Sequence, residues 1–225
     1  MIRYRRFLPH LQPFNATFFV TFRLTGTLPE SVVLTIKAEY EAAKKVIDGH
    51  TIWTYAEKQE QLTRIQKIQL KRYEAVLDSC QYGHRWLQDK AVAEVVADHL
   101  HKHDNEKYQL VAYSIMPNHV HAIVRLDDEK TTFSPTHQGK TQNYPLADAF
   151  RLVKGASAKE ANTILNRTGS FWHHESFDHF ARSEAETQRM VAYVLHNPAK
   201  AGLCEHWHEW PFTYVNEAYG IAVTT

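Results

Sequence analysis

Tyr108-Gln109-Leu110-Val111-Ala112-Tyr113-Ser114-Ile115, then Met116-Pro117-Asn118, then His119-Val120-His121-Ala122-Ile123-Val124-Arg125-Leu126 is the stretch on which the fold turns. Its outer parts are extended and apolar-rich, and the proline and asparagine between them favour a tight connection, so the pattern predicts two neighbouring strands. Successive strand residues alternate faces, which puts Val120, Ala122 and Val124 toward a core and His119 and His121 together on the other side. Two imidazoles so placed can share a cation. An H-x-H pair alone also fits one histidine bonded to a backbone carbonyl beside an exposed one. What favours the shared face is its position, directly after a turn, with apolar residues alternating opposite.

Upstream, residues 15–24 (Asn-Ala-Thr-Phe-Phe-Val-Thr-Phe-Arg-Leu) are rich in β-branched and aromatic residues and closed by Gly26 and Pro29, which predicts a strand. Residues 31–79 contain one glycine, Gly49, and no proline, with Leu62, Ile65, Ile68 and Val76 on one helical face, so two helices broken near Gly49 are expected. Val92, Val95, Val96, His99 and Leu100 mark a further amphipathic helix. Downstream, residues 127–144 read as a polar loop. Leu146, Ala149, Phe150 and Val153 define a helix, residues 171–180 an aromatic and histidine-rich strand segment, and residues 184–197 a helix stopped by Pro198. This order suits an α+β chain, ferredoxin-like (RRM-like), with one antiparallel sheet and helices on one face. The expected organisation is a single domain over residues 1–225 with a helical insertion at about 31–103.

The chain of 225 residues, 44% hydrophobic and 23% charged, is long enough for a real core. It has no apolar run of about 18 residues and no apolar signal-peptide core, so no membrane contact and a cytoplasmic location are expected. Cys80 and Cys204 lie far apart, which suggests neither a disulfide framework nor a cysteine zinc site. Net charge is +1, with 26 basic against 25 acidic residues, a weak balance for wrapping duplex DNA. The 15 histidines are unusual, since imidazole ligates metal, shuttles protons or contacts phosphate.

In the helix before Pro198, Val191, Val194 and Leu195 define a buried side and leave Tyr193, His196 and Asn197 toward the polar flank, with Tyr193 and Asn197 one turn apart. A phenol ionises at about pH 10, so it becomes a useful nucleophile only with a polarised target or a nearby proton acceptor. The same residues also suit a boundary tyrosine and a helix-ending Asn-Pro step.

Three blocks occur in order: residues 113–121 (Tyr-Ser-Ile-Met-Pro-Asn-His-Val-His), 171–179 (Phe-Trp-His-His-Glu-Ser-Phe-Asp-His) and 193–203 (Tyr-Val-Leu-His-Asn-Pro-Ala-Lys-Ala-Gly-Leu). Together, and with Glu209-Trp210-Pro211-Phe212, they resemble the REP-associated tyrosine transposases, within the single-tyrosine HUH superfamily. Residues 31–100 are only generically helical. The resemblance implies a ferredoxin-like endonuclease core in which His119 and His121 hold Mg²⁺ or Mn²⁺ against a phosphate of single-stranded or hairpin DNA. It implies Tyr193 as the nucleophile, forming a 5′-phosphotyrosine link and a 3′-hydroxyl, and Asn197 as third metal ligand. Ala199 stands where the family more often has valine.

His174, Glu175 and Asp178 are auxiliary candidates, as a further ligand, a proton acceptor for Tyr193 or phosphate contacts. They equally suit a strand edge with solvated charges between aromatics. Arg5, Lys154, Arg182 and Lys200 are candidates for DNA phosphates, and Trp172 for stacking on an unpaired base. Two other functions fit the same residues: a hairpin-DNA-binding protein without turnover, and a zinc phosphodiesterase with no tyrosine intermediate. The chain would act as a monomer or homodimer.

Overall fold

The structure, a computed structural model, describes residues 2–5, 9–12, 15–127 and 145–219. Two short strands, β1 (Ile2–Arg5) and β2 (Pro9–Gln12), pair antiparallel. β3 (Ala16–Leu24) is followed by the helices α1 (Glu30–Gly49), α2 (Tyr55–Asp78) and α3 (Lys90–Lys102). Then come β4 (Gln109–Ile115), β5 (His119–Leu126), α4 (Pro145–Ile164), β6 (Trp172–Phe180), α5 (Glu184–Lys200) and β7 (Thr213–Val215). Most of the expected polar loop, residues 128–144, lies outside the described residues.

β3 to β7 form one sheet in the order β6-β3-β5-β4-β7, antiparallel at every pairing. The α+β class and antiparallel sheet are as expected. With β7 set aside, β3-α3-β4-β5-α4-β6 in the order β6-β3-β5-β4 is the ferredoxin-like connection.

β5 sits at the centre of this sheet, and strand alternation divides its residues between two cores. Val120, Ala122 and Val124 join Phe18, Val20, Phe22 and Leu24 of β3 under α3 and α4, which contribute Val92, Val96, Leu100, Phe150 and Val153. Ile123 joins Phe19, Val111 and Ala112 on the opposite face, where Val191, Val194 and Leu195 of α5 cover it. A bulge in β4 between Leu110 and Ala112 turns both Val111 and Ala112 to that side. Helices were expected on one face. α5 covers the other because Val191, Val194 and Leu195 need an apolar partner, and the α3/α4 face is already filled.

The chain divides into two compact units, residues 26–84 and the remainder. The helical section expected over about 31–103 therefore splits, since α3 packs with the sheet. In the smaller unit, Ile36, Tyr40, Ile47, Leu62 and Leu77 are the buried apolar side chains of α1 and α2. Thr54 and Glu57 cap α2 reciprocally, each side chain bonding the other's backbone N–H. Among the described residues no helix is long and apolar enough to cross a membrane.

The β4-β5 connection is as tight as its residues suggest, the Met116 N–H donating to the His119 carbonyl at 2.9 Å. Asn118 accepts at its carbonyl from the Leu24 N–H (2.9 Å), and Pro117 from the Leu87 N–H (3.2 Å). The Trp210-Pro211-Phe212 segment docks alongside: the Trp210 indole donates to the Ile115 carbonyl at 2.9 Å, and the Ile115 N–H donates to Phe212.

α5 does not stop at Pro198. The helix runs on to Lys200, past a proline that forfeits the hydrogen bond its own nitrogen would have donated. It ends instead at Gly202, whose φ of 71° is left-handed, with Gly202 N–H bonded to Ala199 and Leu203 N–H to Pro198, both at 2.9 Å. A Cβ at Gly202 would meet nothing within 4 Å, so the demand there is conformational only. Gly202→Ala should lower stability by about 1 kcal/mol. Urea denaturation checks this, and an unchanged midpoint would show that the left-handed cap contributes nothing.

Candidate active site

Register builds the site. Thr21 of β3 and Ser114 of β4 flank His121 on β5, and Arg23 lies opposite His119. His119 and His121 share the sheet face that α5 covers, and both are fully buried. Their rings meet edge to face, centroids 4.5 Å apart at 77°, and the two Nε2 atoms are 2.9 Å apart. The Nδ1 atoms point away to separate partners, His119 to Asn118 Oδ1 at 2.7 Å and His121 to Thr21 Oγ1 at 2.8 Å. Phe19 stacks on His121 at 5.2 Å and 25°.

α5 brings Tyr193 to this pair. The phenol ring stands edge-on to His121, centroids 5.6 Å apart at 68°, and edge-on to Phe19 at 5.8 Å. Two turns later on the same helix, Lys200 Nζ lies 5.4 Å from the centre of the Tyr193 ring. A cation there is attracted to the electron-rich face of the ring. Asn197, one turn after Tyr193, was expected on the polar flank. It is fully buried with Val194 instead, while His196 is exposed.

The auxiliary candidates separate along β6. Phe177 and His179 pair with Thr21 and Phe19 and share the histidine face, whereas Glu175 lies where the β3-β6 register shifts, its carboxylate 3.7 Å from His174 Nε2. Asp178 pairs with Val20 and faces the α4 side, and His174 is largely exposed. Neither is brought to the histidine pair. His179 is taken up by Glu186 of α5, Nε2 to Oε1 at 3.0 Å.

Two of the DNA-contact candidates have partners within the fold. Lys154 Nζ donates to the His173 and His174 carbonyls and to Ser176 Oγ at 2.8–3.1 Å, fastening α4 to β6, so its ammonium is committed to the fold. Trp172 is only 7% exposed and donates its indole N–H to Ser157 Oγ at 3.0 Å, which leaves it no open face for a base. Arg182 is exposed beside the Phe180 ring, and Lys200 is exposed as well. The side chain of Arg5 lies outside the described residues. Two residues of the site escaped the sequence reading, Thr21 and Asn118. Asn118 had been read only as a turn former, and Thr21 contacts a residue 100 positions away.

The donor set fits a divalent cation. Cis ligands of an octahedral ion at about 2.1 Å stand about 3 Å apart, close to the observed Nε2 separation of 2.9 Å. With each Nδ1 already partnered, the Nε2 atoms are the ones aimed at a common point. Two imidazoles alone do not distinguish magnesium, manganese and zinc.

No family model matches the chain. A Haemophilus influenzae protein carrying the name REP-associated tyrosine transposase is 22% identical over 113 residues, covering 47% of this chain and 58% of the relative. The chain thus spans just under three fifths of the length of the curated relative it matches. A solved structure of a REP-associated tyrosine transposase bound to a REP hairpin is similar at 15% identity over 95% of this chain and 82% of that one, with a TM-score of 0.43. The resemblance read from the three sequence blocks is met by the curated relative's name.

Burial, with the Arg23 guanidinium adding to it, pushes the His173 imidazole down from 6.5 to about 4. Between those values the unfolded chain binds a proton that the folded chain refuses, so His173 makes stability fall as pH drops through that window. His173→Gln should flatten this dependence. Urea midpoints at pH 7 and pH 5 measure it, and an equal drop in both proteins would show that His173 titrates normally.

Proposed function

We propose that this chain is a metal-dependent single-stranded DNA endonuclease and strand transferase, transposase-like, acting on hairpin or repeat DNA through Tyr193. The observation carrying this reading is the convergence of the His119 and His121 Nε2 atoms at 2.9 Å with the Tyr193 ring against His121. The name of the curated relative supports the substrate class. A histidine pair alone suits many hydrolases; a tyrosine beside it suits covalent transfer.

His119 and His121 would hold the cation, Mg²⁺ or Mn²⁺, and Asn197 would supply a third, amide ligand. When bound, that ion acts as a Lewis acid on the scissile phosphate. Tyr193 Oη attacks phosphorus, forming the phosphotyrosine bond as the bond from phosphorus to the 3′ oxygen breaks. The phenol proton passes to solvent, and the departing 3′ oxygen takes one from solvent to become a hydroxyl. Lys200 rests near the Tyr193 ring, and Phe19 holds His121 and Tyr193 in place between strand and helix. Because the phosphotyrosine conserves the diester bond, a second strand's 3′-hydroxyl reverses the step and joins new ends. The reaction is proposed for DNA in the cytoplasm.

Incubation with single-stranded hairpin oligonucleotides and Mn²⁺ or Mg²⁺ should give a protein-DNA adduct that survives a denaturing gel. The adduct should vanish in Tyr193→Phe and His121→Ala. Tight hairpin binding with no adduct under any metal would instead identify a binding protein. Zinc-dependent hydrolysis that persists in Tyr193→Phe would identify a phosphodiesterase.

A further inference from the structure

We propose that Asn118 and Thr21 are positioning residues that set the tautomers of the two site histidines, Asn118 as a fixed lock and Thr21 as a reversible one. This rests on the reading of His119 and His121 as metal ligands.

An imidazole ligates metal through a nitrogen that carries no proton, and which nitrogen that is depends on the bond the other makes. Asn118 turns its amide oxygen to His119 Nδ1 at 2.7 Å. An amide oxygen only accepts, so His119 carries its proton on Nδ1 and presents a lone pair at Nε2. The lock is rigid because it is built on the turn. Asn118 is fully buried, its carbonyl accepts from Leu24 N–H at 2.9 Å, and Met116 N–H closes onto His119 next door at 2.9 Å.

Thr21 differs because a hydroxyl both donates and accepts. His121 therefore has two neutral arrangements at the same heavy-atom positions. In one, His121 Nε2–H donates to His119 Nε2 across 2.9 Å, and the Thr21 hydroxyl donates to Nδ1. In the other, Nδ1–H donates to Thr21 Oγ1 at 2.8 Å, and both Nε2 lone pairs face a shared cation. Passing from the first to the second removes one proton at Nε2 and adds one at Nδ1 by exchange with water, while the threonine hydroxyl rotates. Net charge does not change. Both arrangements satisfy the buried ring nitrogens, which explains how two imidazoles rest inside a core with or without an ion between them.

Mn²⁺ affinity, read by electron paramagnetic resonance of free Mn²⁺ over the intact chain, tests this without any DNA. Asn118→Leu should bind about 10- to 100-fold more weakly. Asn118→Asp, which keeps an acceptor oxygen, should stay close to wild type, a rescue that mere packing would not give. Thr21→Val should weaken binding, and Thr21→Ser should restore it. Wild-type affinity in Asn118→Leu overturns the lock. Absence of Mn²⁺ binding in the wild-type chain overturns the metal reading instead. Imidazole ¹⁵N chemical shifts of the wild-type chain keep the lock testable in that case, and also if Asn118→Leu fails to fold. His119 should read as Nδ1–H throughout a Mg²⁺ titration, and His121 should change from Nε2–H to Nδ1–H. His119 found as Nε2–H overturns the proposal.

Discussion

The middle of a strand covered on both faces cannot send side chains to water, and residues 119–124 of β5 form such a stretch. Every residue from His119 to Val124 is buried, so the two histidines that alternation places on one side must find partners inside the protein. Much of the surrounding architecture answers that demand. β3 contributes a hydroxyl from Thr21 and a stacking ring from Phe19, the preceding turn contributes the Asn118 amide, and α5 closes the face with Tyr193. Burial also removes competing water, which strengthens every electrostatic contact made by the pair.

The parts of the fold legible in the sequence are those governed by local periodicity. Alternation along residues 119–126 gave both the strand and the shared histidine face, and the 3.6-residue spacing of Val92, Val96 and Leu100 gave α3. Punctuation was less reliable. Pro198 was read as a stop because proline forbids one hydrogen bond, whereas the signal that ends α5 is a glycine four residues later in the left-handed region. The assignment of α5 to the second sheet face was invisible, because its apolar stripe says that the helix packs but not on which side. β7, a strand of three residues at the sheet edge, carries too little pattern to be seen.

Residue type was a poor guide to role where the fold itself had uses for cations and aromatics. Lys154 and Trp172 have the chemistry of phosphate and base contacts, and both serve to hold α4 against β6. The reverse error befell Asn118 and Thr21, whose ordinary occurrence in turns and strands concealed contacts with ring nitrogens. The Thr21 contact depends on strand pairing across 100 positions, which no window of residues contains, while Asn118 bonds the ring of its own neighbour, a contact hidden because its turn chemistry already accounted for it.

The turn at Pro117 and Asn118 also receives the chain at two other points, through Leu24 just before residues 26–84 depart and Leu87 just after they return. The excursion therefore begins and ends at fixed posts beside the site. For a loop with anchored ends, each doubling of length adds only about 0.6 kcal/mol of closure entropy. As far as closure entropy is concerned, the intervening segment is thus a place where a lineage can change length at small penalty while the turn keeps its two posts.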